Sequence, residues 1–243
     1  LSRASAVFSP DPLFNYQWNI PEIKLDQALD LVGKEQKDVI VAVLDSGSPA
    51  VNSFAWNAGG FVSGGYDFID GDIDPTDPKA TSSSITDSSH GTHVGSTIGA
   101  LNDGNDINGF GVKVLPVRVL GPNGGNDESV ACGIYFAAGG AQCGVSGFSD
   151  SAKIKVINMS LGGGIPAAAM ELTRGAIEYA RSQGIVVVAA AGNDNVSTNY
   201  YPVAHSGVVG VSATTMETFK ADYSNFGDYV DITAPGGDVT QDY

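Results

Sequence analysis

Short apolar runs alternate with helix-like segments along most of this sequence, and that alternation limits the possible folds more than any other feature. Six runs have the length and β-branched character of buried strands. They are DVIVAVLD (38–45), VKVLPVRVL (112–120), KIKVINMSL (153–161), GIVVVAAAGN (184–193), VVGVSAT (208–214) and YVDITAPG (229–236). Pro116 in the second run indicates an irregular or edge position.

Three segments between these runs are predicted to be helices: HGTHVGSTIGAL (90–101), ESVACGIYFAAGG (128–140) and PAAAMELTRGAIEYARSQG (166–184). The last has Pro166 near its start and Gly184 as its stop. Strands that are apolar on both faces and alternate with helices predict an α/β fold, a doubly wound, mostly parallel sheet with helices on both faces. No linker, repeat or composition break divides the chain, so we expect one domain over residues 1–243.

The charge balance excludes one class of partner. The net charge is −15, from 27 acidic and 12 basic residues, so the clustered Lys and Arg of a nucleic-acid surface are not expected. No apolar run reaches the roughly 18–20 residues that cross a bilayer, so no membrane partner is expected either. We therefore expect neither nucleic acid nor membrane among the partners.

The two cysteines, Cys132 and Cys143, lie in one short segment. An even count there suits a local disulfide in an exported protein, whereas two free buried thiols are the alternative. The chain begins at Leu1 without a charged n-region and an apolar h-region, as in a mature product. Together these features predict a secreted protein with a Cys132–Cys143 disulfide.

Three polar residues lie where a doubly wound sheet binds ligands, outside the carboxyl ends of its strands. Asp45 and Asn193 end predicted strands, and His90 begins a predicted helix. A carboxylate that orients an imidazole, an imidazole that moves a proton and an amide that stabilises an oxyanion are most of an acyl-transfer site. A core or capping histidine and a turn asparagine are the plain alternatives for the last two.

Other chemistries fit these residues less well. A zinc-protease helix carries two histidines four residues apart with a glutamate between, whereas His90 and His93 are three apart without one. His93 is expected to be structural and His205 to lie at the surface. A dinucleotide site would need a glycine-rich turn after the first strand, where the sequence has DSGSPAV. No organic cofactor is implied.

Seven stretches, in this order and at these spacings, resemble the subtilisin-like serine protease (subtilase) family. They are VAVLDSG, HGTHVGSTI, LPVRVLG, INMSLGGG, VVVAAAGND, VVGVSAT and YSNFGDYVDITAPGG. The resemblance runs from about residue 11 to the end, and DPLFNYQWNIPEI resembles the start of a mature subtilase. It implies the subtilisin-like α/β fold and a secreted endopeptidase that acts on proteins or peptides.

The resemblance also implies roles for individual residues. Asp45 resembles the aspartate of the Asp-His-Ser triad, His90 the histidine, and Asn193 the oxyanion-hole asparagine. In the family an extended peptide binds by strand addition in a groove between two walls. One wall is matched here by Ser160, Leu161 and Gly162, and the opposite wall by Gly124 and Gly125. Ala190, Ala191 and Gly192 resemble part of the pocket for the side chain before the scissile bond, and their small size implies a pocket open to large apolar groups.

The chain departs from the family pattern in one respect. The family's nucleophile lies in a GTSMAxP-type stretch beyond the APG strand, and no serine here has that context, Ser46 and Ser160 included. We therefore expect the catalytic domain to be incomplete at its C-terminus, with the serine supplied by a companion chain or segment beyond Tyr243. A non-catalytic subtilase-fold peptide-binding module, a pseudoprotease, is the alternative.

The acidic stretch GYDFIDGDIDPTDP (65–78) carries alternating carboxylates on a loop bent by Gly and Pro, which suits calcium. A solvated acidic loop is the alternative, and an EF-hand does not apply. The resemblance places a structural Ca²⁺ here, with Asp67, Asp70 and Asp72 as ligands and Asp74 and Thr76 as further candidates. LNDGNDINGFG (101–111) resembles the family's second calcium loop, altered in length.

Overall fold

The computed structural model describes residues 12–32, 39–50, 54–78, 89–105 and 107–238. The expected single domain, residues 1–243, extends beyond these ranges and is in that respect untested. In the part of the chain that is described, no helix combines the length and apolar character needed to cross a membrane.

A parallel sheet of seven strands forms the centre of the described structure. In chain order the strands are β1 (Ile40–Asp45), β2 (Tyr66–Asp67), β3 (Lys113–Arg118), β4 (Ile154–Met159), β5 (Val186–Ala190), β6 (Val208–Thr214) and β7 (Ile232–Pro235). Their order across the sheet is β2-β3-β1-β4-β5-β6-β7. The first strand therefore lies inside the sheet, and the chain builds outwards from it in both directions.

Six α-helices accompany the sheet in the described ranges. They are α1 (Asn19–Glu22), α2 (Leu25–Val32), α3 (Phe54–Ala58), α4 (His90–Gly99), α5 (Asp127–Ala137) and α6 (Glu171–Ser182). A 3₁₀ turn at Ala167–Met170 leads into α6. Helices pack on both faces of the sheet, so the predicted doubly wound α/β fold is confirmed.

All six predicted strands and all three predicted helices are present, with ends shifted by a few residues. Gly184 ends the third helix with a φ of 77°, which its lack of a Cβ permits. Pro116 lies inside β3, but β2 pairs only with Val117 and Arg118, so beside Pro116 the described sheet has no strand partner on that side. The two-residue strand β2 and the short helices α1–α3 were not predicted, because segments this short carry little periodicity.

The two faces of the sheet are covered unequally. On one face α5 and α6 bury the main core, which includes Leu44, Leu115, Ile134, Ile157 and Ile177. On the other face α4 covers β1 and β3 over a smaller cluster that includes Val41, Phe61 and Val114.

The face of the sheet that α4 covers becomes progressively more exposed from β1 towards β5. Val41, Val156 and Val186 are register partners across β1, β4 and β5, and their exposure rises from 8% at Val41 to 48% at Val186. The same face continues through half-buried Val211 to Ile232, which is 58% exposed. We call the part formed by β5, β6 and β7 the open sheet face; in the described structure no helix covers it.

Cys132 of α5 is bonded to Cys143 in the following loop, 11 residues further along the chain. The predicted disulfide is therefore present and the free-thiol alternative is wrong. The bond fastens that loop to a helix that supplies much of the main core.

Candidate active site

A buried carboxylate and a half-exposed imidazole meet where β1 ends and α4 begins. Asp45, the last residue of β1, is 1% exposed, and its Oδ1 accepts hydrogen bonds from the Ser46 backbone N–H and from Nδ1 of His90, both at 2.7 Å. Because a carboxylate only accepts, the His90 proton lies on Nδ1 in the neutral ring and Nε2 is left as an acceptor. The predicted Asp45–His90 pair is thus brought together.

The environment of His90 favours its protonated form. The hydrogen bond to Asp45 raises the pKa of His90 above its ordinary value of 6.5, partial burial opposes this, and the negative charge of Asp45 adds to the rise. Oδ2 of Asp45 is buried and has no hydrogen-bond partner among the described residues. The carboxylate is therefore placed to stabilise positive charge that develops on the imidazole.

Three glycines let α4 approach the sheet closely. A Cβ at Gly91 would lie 2.2 Å from the Gly47 carbonyl oxygen, one at Gly95 would lie 2.5 Å from the Phe61 ring, and one at Gly99 would lie 2.6 Å from Val114. Since real Cβ atoms do not come so near, a larger residue would push the helix away. The spacing of these glycines therefore determines where His90 lies relative to Asp45.

A hydroxyl and a second carboxylate brace the same helix end. Ser46 Oγ accepts from the Gly91 backbone N–H at 3.1 Å and donates to Asp77 Oδ2 at 2.8 Å. The sequence analysis assigned no role to Asp77, and only its position in an acidic loop could have drawn attention to it. Both Ser46 and Asp77 act through the backbone next to His90.

A cavity of about 720 Å³ opens beside His90 and contains the predicted peptide groove. Its lining includes Gly124 and Gly125 on one side and Ser160, Leu161 and Gly162 on the other. Leu120, Val130, Ile165 and Met170 add an apolar region. The five predicted wall residues are thus brought to one groove, together with both members of the Asp45–His90 pair.

Backbone hydrogen bonds fix both walls. Gly121 and Gly124 exchange two bonds of 3.0 Å, which closes a tight turn with Gly124 at a φ of 86°. On the opposite side Gly163 and Tyr201 exchange two bonds of 3.0 Å. The walls are therefore held in place before any peptide enters the groove.

The predicted oxyanion residue and the predicted pocket residues do not line this groove. Asn193 is exposed and lines a separate cavity of about 430 Å³ with Tyr223 and residues 236–238. Ala190 and Gly192 are half-buried and Ala191 is buried, and none of the three lines either cavity. The oxyanion role of Asn193 and the pocket role of Ala190, Ala191 and Gly192 stay predictions.

Asn225, which the sequence analysis missed, organises this loop. It is fully buried; its Nδ2 donates to the Ala191 carbonyl at 3.0 Å, and its Oδ1 accepts from the backbone N–H of Asp194 and Val196 at 2.9 and 3.1 Å. Gly192 passes so close that a Cβ there would lie 2.3 Å from Nδ2. A buried amide therefore holds the segment that presents Asn193.

Arg118 engages the first two predicted calcium ligands. Its Nη1 donates to Asp67 Oδ2 at 2.5 Å and to Asp70 Oδ2 at 2.6 Å, and Asp67 Oδ1 also accepts from two backbone N–H groups. The sequence analysis gave Arg118 no role beyond its strand.

The other predicted ligands cap their own loop. Asp72 Oδ1 accepts from the Asp74 backbone N–H, and Asp74 Oδ1 accepts from the hydroxyl and backbone N–H of Thr76. Among the described residues no three His, Cys, Asp or Glu side chains converge as metal ligands. In this arrangement the carboxylates bond Arg118, backbone N–H groups and the Thr76 hydroxyl, and calcium at this loop stays a prediction.

Amides close the second predicted calcium loop. Gln17 donates to the carbonyl of Asn108 at 2.8 Å and accepts from its backbone N–H at 2.7 Å, while Asn102 Oδ1 accepts from the Asn108 side chain at 2.9 Å. These bonds link residues near the described N-terminus to the loop after α4. All of these bonds are direct contacts between protein groups, and calcium at this second loop stays a prediction.

The other two histidines differ from each other. His93 is exposed on α4, three residues from His90. The expected surface position of His205 is wrong: it is 7% exposed, its Nε2 lies 3.1 Å from the Met170 carbonyl, and its ring packs 4.8 Å from that of Tyr201. Burial lowers the pKa of His205, so the neutral ring is favoured.

A family assignment follows from sequence comparison. Residues 36–243 match the model of the Subtilase family, and the chain belongs to that family. It is similar to an extracellular protease of Xanthomonas campestris pv. campestris, with 38% identity over 82% of this chain and 37% of that protein. It is also similar to the minor extracellular protease Epr of Bacillus subtilis, with 33% identity over 93% of this chain and 31% of that protein. The chain thus spans about a third of the length of these two relatives.

One solved structure and one further relative agree with this assignment. A protease of Pseudoalteromonas arctica PAMC 21717 superposes with a TM-score of 0.81 at 38% identity, over 97% of this chain and 74% of that one. Thermitase of Thermoactinomyces vulgaris is 33% identical over 96% of this chain and 75% of that protein. The subtilisin-like fold predicted from the sequence is therefore confirmed.

Proposed function

We propose that this protein is a secreted serine endopeptidase that hydrolyses peptide bonds through an acyl-enzyme. The observation that carries the proposal is buried Asp45 holding Nδ1 of His90 beside a peptide-sized groove, in a member of the subtilase family. An imidazole held in one tautomer by a buried carboxylate is the arrangement that a general base needs.

His90 moves the proton in both halves of the proposed reaction. Its Nε2 removes the proton from a serine hydroxyl as the serine oxygen bonds to the substrate carbonyl carbon, and it returns that proton to the leaving amine as the peptide bond breaks. In the second half, Nε2 removes a proton from a water molecule as that water attacks the acyl-enzyme carbonyl carbon. The proton then passes to the serine oxygen as the ester bond breaks, which releases the acid. Asp45 stabilises the imidazolium in each half, and Asn193 donates its side-chain N–H to the oxyanion.

The serine belongs to a segment beyond Tyr243 in this proposal. In the described part of the chain no serine hydroxyl is bonded to Nε2 of His90, and the two serines nearest the groove have other bonds. Ser46 is held by Asp77 and Gly91, and Ser160 accepts from the Asn158 side chain at 3.0 Å.

The open sheet face supports a companion chain or segment. Val186 and Ile232 are large apolar side chains with 48% and 58% exposure on the same face of a parallel sheet. Parallel sheets are normally covered on both faces. An apolar helix that covers β5, β6 and β7 would bury these residues and could carry the serine.

Proteins or peptides are the proposed substrates. An extended chain would lie between the walls formed by Gly124–Gly125 and by Ser160–Gly162, where backbone groups of both walls can pair with it as neighbouring strands do. Ala190, Ala191 and Gly192 are proposed to border the pocket for the residue before the scissile bond. Their small side chains would leave room for a large apolar group.

Secretion is proposed from the relatives and the disulfide. The Xanthomonas and Bacillus relatives are named extracellular proteases, and a structural disulfide is typical of an oxidising compartment. Reducing and non-reducing mass analysis of protein recovered from culture medium tests both points.

A structural calcium ion is part of the proposal on the resemblance alone. If calcium binds the native state only, excess EDTA lowers the melting temperature. An unchanged melting curve would leave Arg118 as the cation that balances Asp67 and Asp70.

A fluorophosphonate probe tests the proposed function. The wild-type protein, expressed from its complete gene, should be labelled on one serine and should cleave peptides, and His90→Ala should abolish both. His93→Ala, on the exposed side of the same helix, is the matched control and should retain both activities.

The second candidate is a peptide-binding module without a nucleophile, favoured by the absence of a serine bonded to Nε2 of His90 in the described residues. A folded, unlabelled protein that still binds peptides would establish this candidate and refute the endopeptidase.

A further inference from the structure

One carboxylate joins the N-termini of two helices beside the apolar residues of the groove. We call the region lined by Leu120, Val130, Ile165 and Met170 the apolar end. The N-terminus of α5 is already satisfied locally, because Asn126 Oδ1 accepts from the Ser129 backbone N–H at 2.8 Å and Ser129 Oγ accepts from that of Asn126 at 3.1 Å. Because this capping box already caps α5, the carboxylate of Asp127, the first residue of α5, is available to bond another element.

Asp127 caps α6 instead. Its Oδ2 accepts from the Leu172 backbone N–H at 2.9 Å, its Oδ1 accepts from that of Thr173 at 2.8 Å, and the Thr173 hydroxyl donates to its backbone carbonyl at 3.3 Å. The residue in the N-cap position of α6, Met170, makes no side-chain capping bond. The cap of α6 is therefore supplied by another helix, 45 residues earlier in the chain.

The two linked elements are opposite sides of the groove. Asn126 and Asp127 line it from the α5 side, and Ala169 and Met170 line it from the turn that leads into α6. His205 also contacts that turn, with its Nε2 3.1 Å from the Met170 carbonyl oxygen. The separation of the groove walls at this end thus depends on the bonds from Asp127 to α6.

We propose that Asp127 is a positioning residue that fixes the width of the apolar end of the groove and so determines how strongly the enzyme selects long apolar peptides. The inference rests on the proposed peptidase function. Without the carboxylate, two N–H groups at the start of α6 lose their charged acceptor. The favourable interaction between that negative charge and the positive end of the helix dipole is lost as well. The 167–170 turn then relaxes and Met170 moves relative to Val130.

A purely structural role would show a different pattern from a positioning role. Loss of stability alone would lower the active fraction and reduce kcat equally for every substrate. Loss of groove width would raise KM for substrates that fill the groove and would leave short substrates less affected.

The test compares a hexapeptide amide that has leucine at its far end with an acylated single-residue amide, in the full-length protein. We expect Asp127→Ala to raise KM for the hexapeptide about tenfold more than for the short substrate, a loss typical of one apolar side chain in its pocket. Asp127→Asn keeps one acceptor and should lie between Ala and wild type. Glu128→Ala, exposed in the same helical turn, is the matched control and should behave as wild type.

Two outcomes overturn the inference in distinguishable ways. A wild-type enzyme that cleaves both substrates, with an Asp127→Ala variant whose KM rises equally for both, refutes the positioning role and leaves the peptidase intact. A wild-type protein without activity refutes the proposed function. Binding in the groove is then measured by fluorescence anisotropy with a labelled hexapeptide whose reduced peptide bonds cannot be hydrolysed. Equal affinity of wild type and Asp127→Ala in that assay also refutes the role of Asp127.

Discussion

Replacing Arg118 by methionine should destabilise the protein far more than its position in a strand suggests. The Arg118 side chain is 4% exposed and its partner Asp67 is 2% exposed, so the variant leaves a buried negative charge without its cation. Breaking a buried pair by removing one partner costs about 3–5 kcal/mol. In a domain of this size that loss corresponds to a decrease in melting temperature of about 6–20 °C.

The second carboxylate provides an internal control. Asp70 is 59% exposed, so Asp70→Asn breaks a solvent-screened pair and should cost about 0–1 kcal/mol. Adding Asp67→Asn to Arg118→Met removes the buried charge itself and should recover much of the loss. The two changes are therefore expected to be strongly non-additive.

Thermal unfolding followed by circular dichroism measures these three variants and the Asp67→Asn single variant. The experiment is best made in a His90→Ala background, because the proposed peptidase activity would otherwise digest the protein during the melt. A loss below about 1 kcal/mol for Arg118→Met would contradict the assignment of Arg118 as the cation that balances Asp67. Additive effects of Arg118→Met and Asp67→Asn would contradict their direct coupling.

Four further predictions concern the active site, the disulfide and the groove. Because Asp45 raises the pKa of His90, the acid limb of kcat/KM should have its midpoint above pH 6.5, and Asp45→Asn should shift it down; a midpoint that does not move contradicts the pairing. The same shift makes the contribution of His90 to stability complete below pH 6.5 and lost as pH rises through the folded pKa, so melts of wild type and His90→Ala should converge at alkaline pH. Removing the disulfide by Cys132→Ala with Cys143→Ser should cost about 3 kcal/mol in chemical denaturation, since it releases a short closed loop; an unchanged midpoint would refute that stabilisation. The net charge of −15 and the absence of Lys and Arg among the described residues that line the groove predict faster cleavage of cationic than anionic peptides at low salt. A difference that persists at high salt would show that the preference is not electrostatic.

The sequence predicts the framework well because burial produces regular patterns. Continuous apolar runs predict β1 and β3–β7. The position of Asp45 at the end of one run and of His90 at the start of a predicted helix predicts that the two meet. The carboxyl ends of parallel strands lie at one edge of the sheet, so this part of the site follows from topology.

Contacts between distant polar residues could not be predicted in the same way. Arg118 has the sequence context of an ordinary strand residue. It nevertheless pairs with Asp67, 51 positions away, and supplies a positive charge to the acidic loop. The stretch VAHSGVV offers His205 no identifiable partner and so suggests a surface position, but the turn that begins at Pro202 brings its ring to the Met170 carbonyl. Asn225 and Asp127 are similar cases, because each satisfies backbone groups of a segment that no local pattern connects to it.

The glycines of α4 bear on the order in which the protein assembles. Three glycines in ten residues lower the intrinsic stability of that helix by about 3 kcal/mol relative to alanine, so it has little tendency to form alone. It gains its stability from β1 and β3, which must already be paired for α4 to pack on them. His90 therefore reaches its place only after the central strands are joined, and in a chain with unpaired central strands the proposed general base would not be positioned. Alanine substitutions, which usually stabilise helices, would here separate α4 from the sheet.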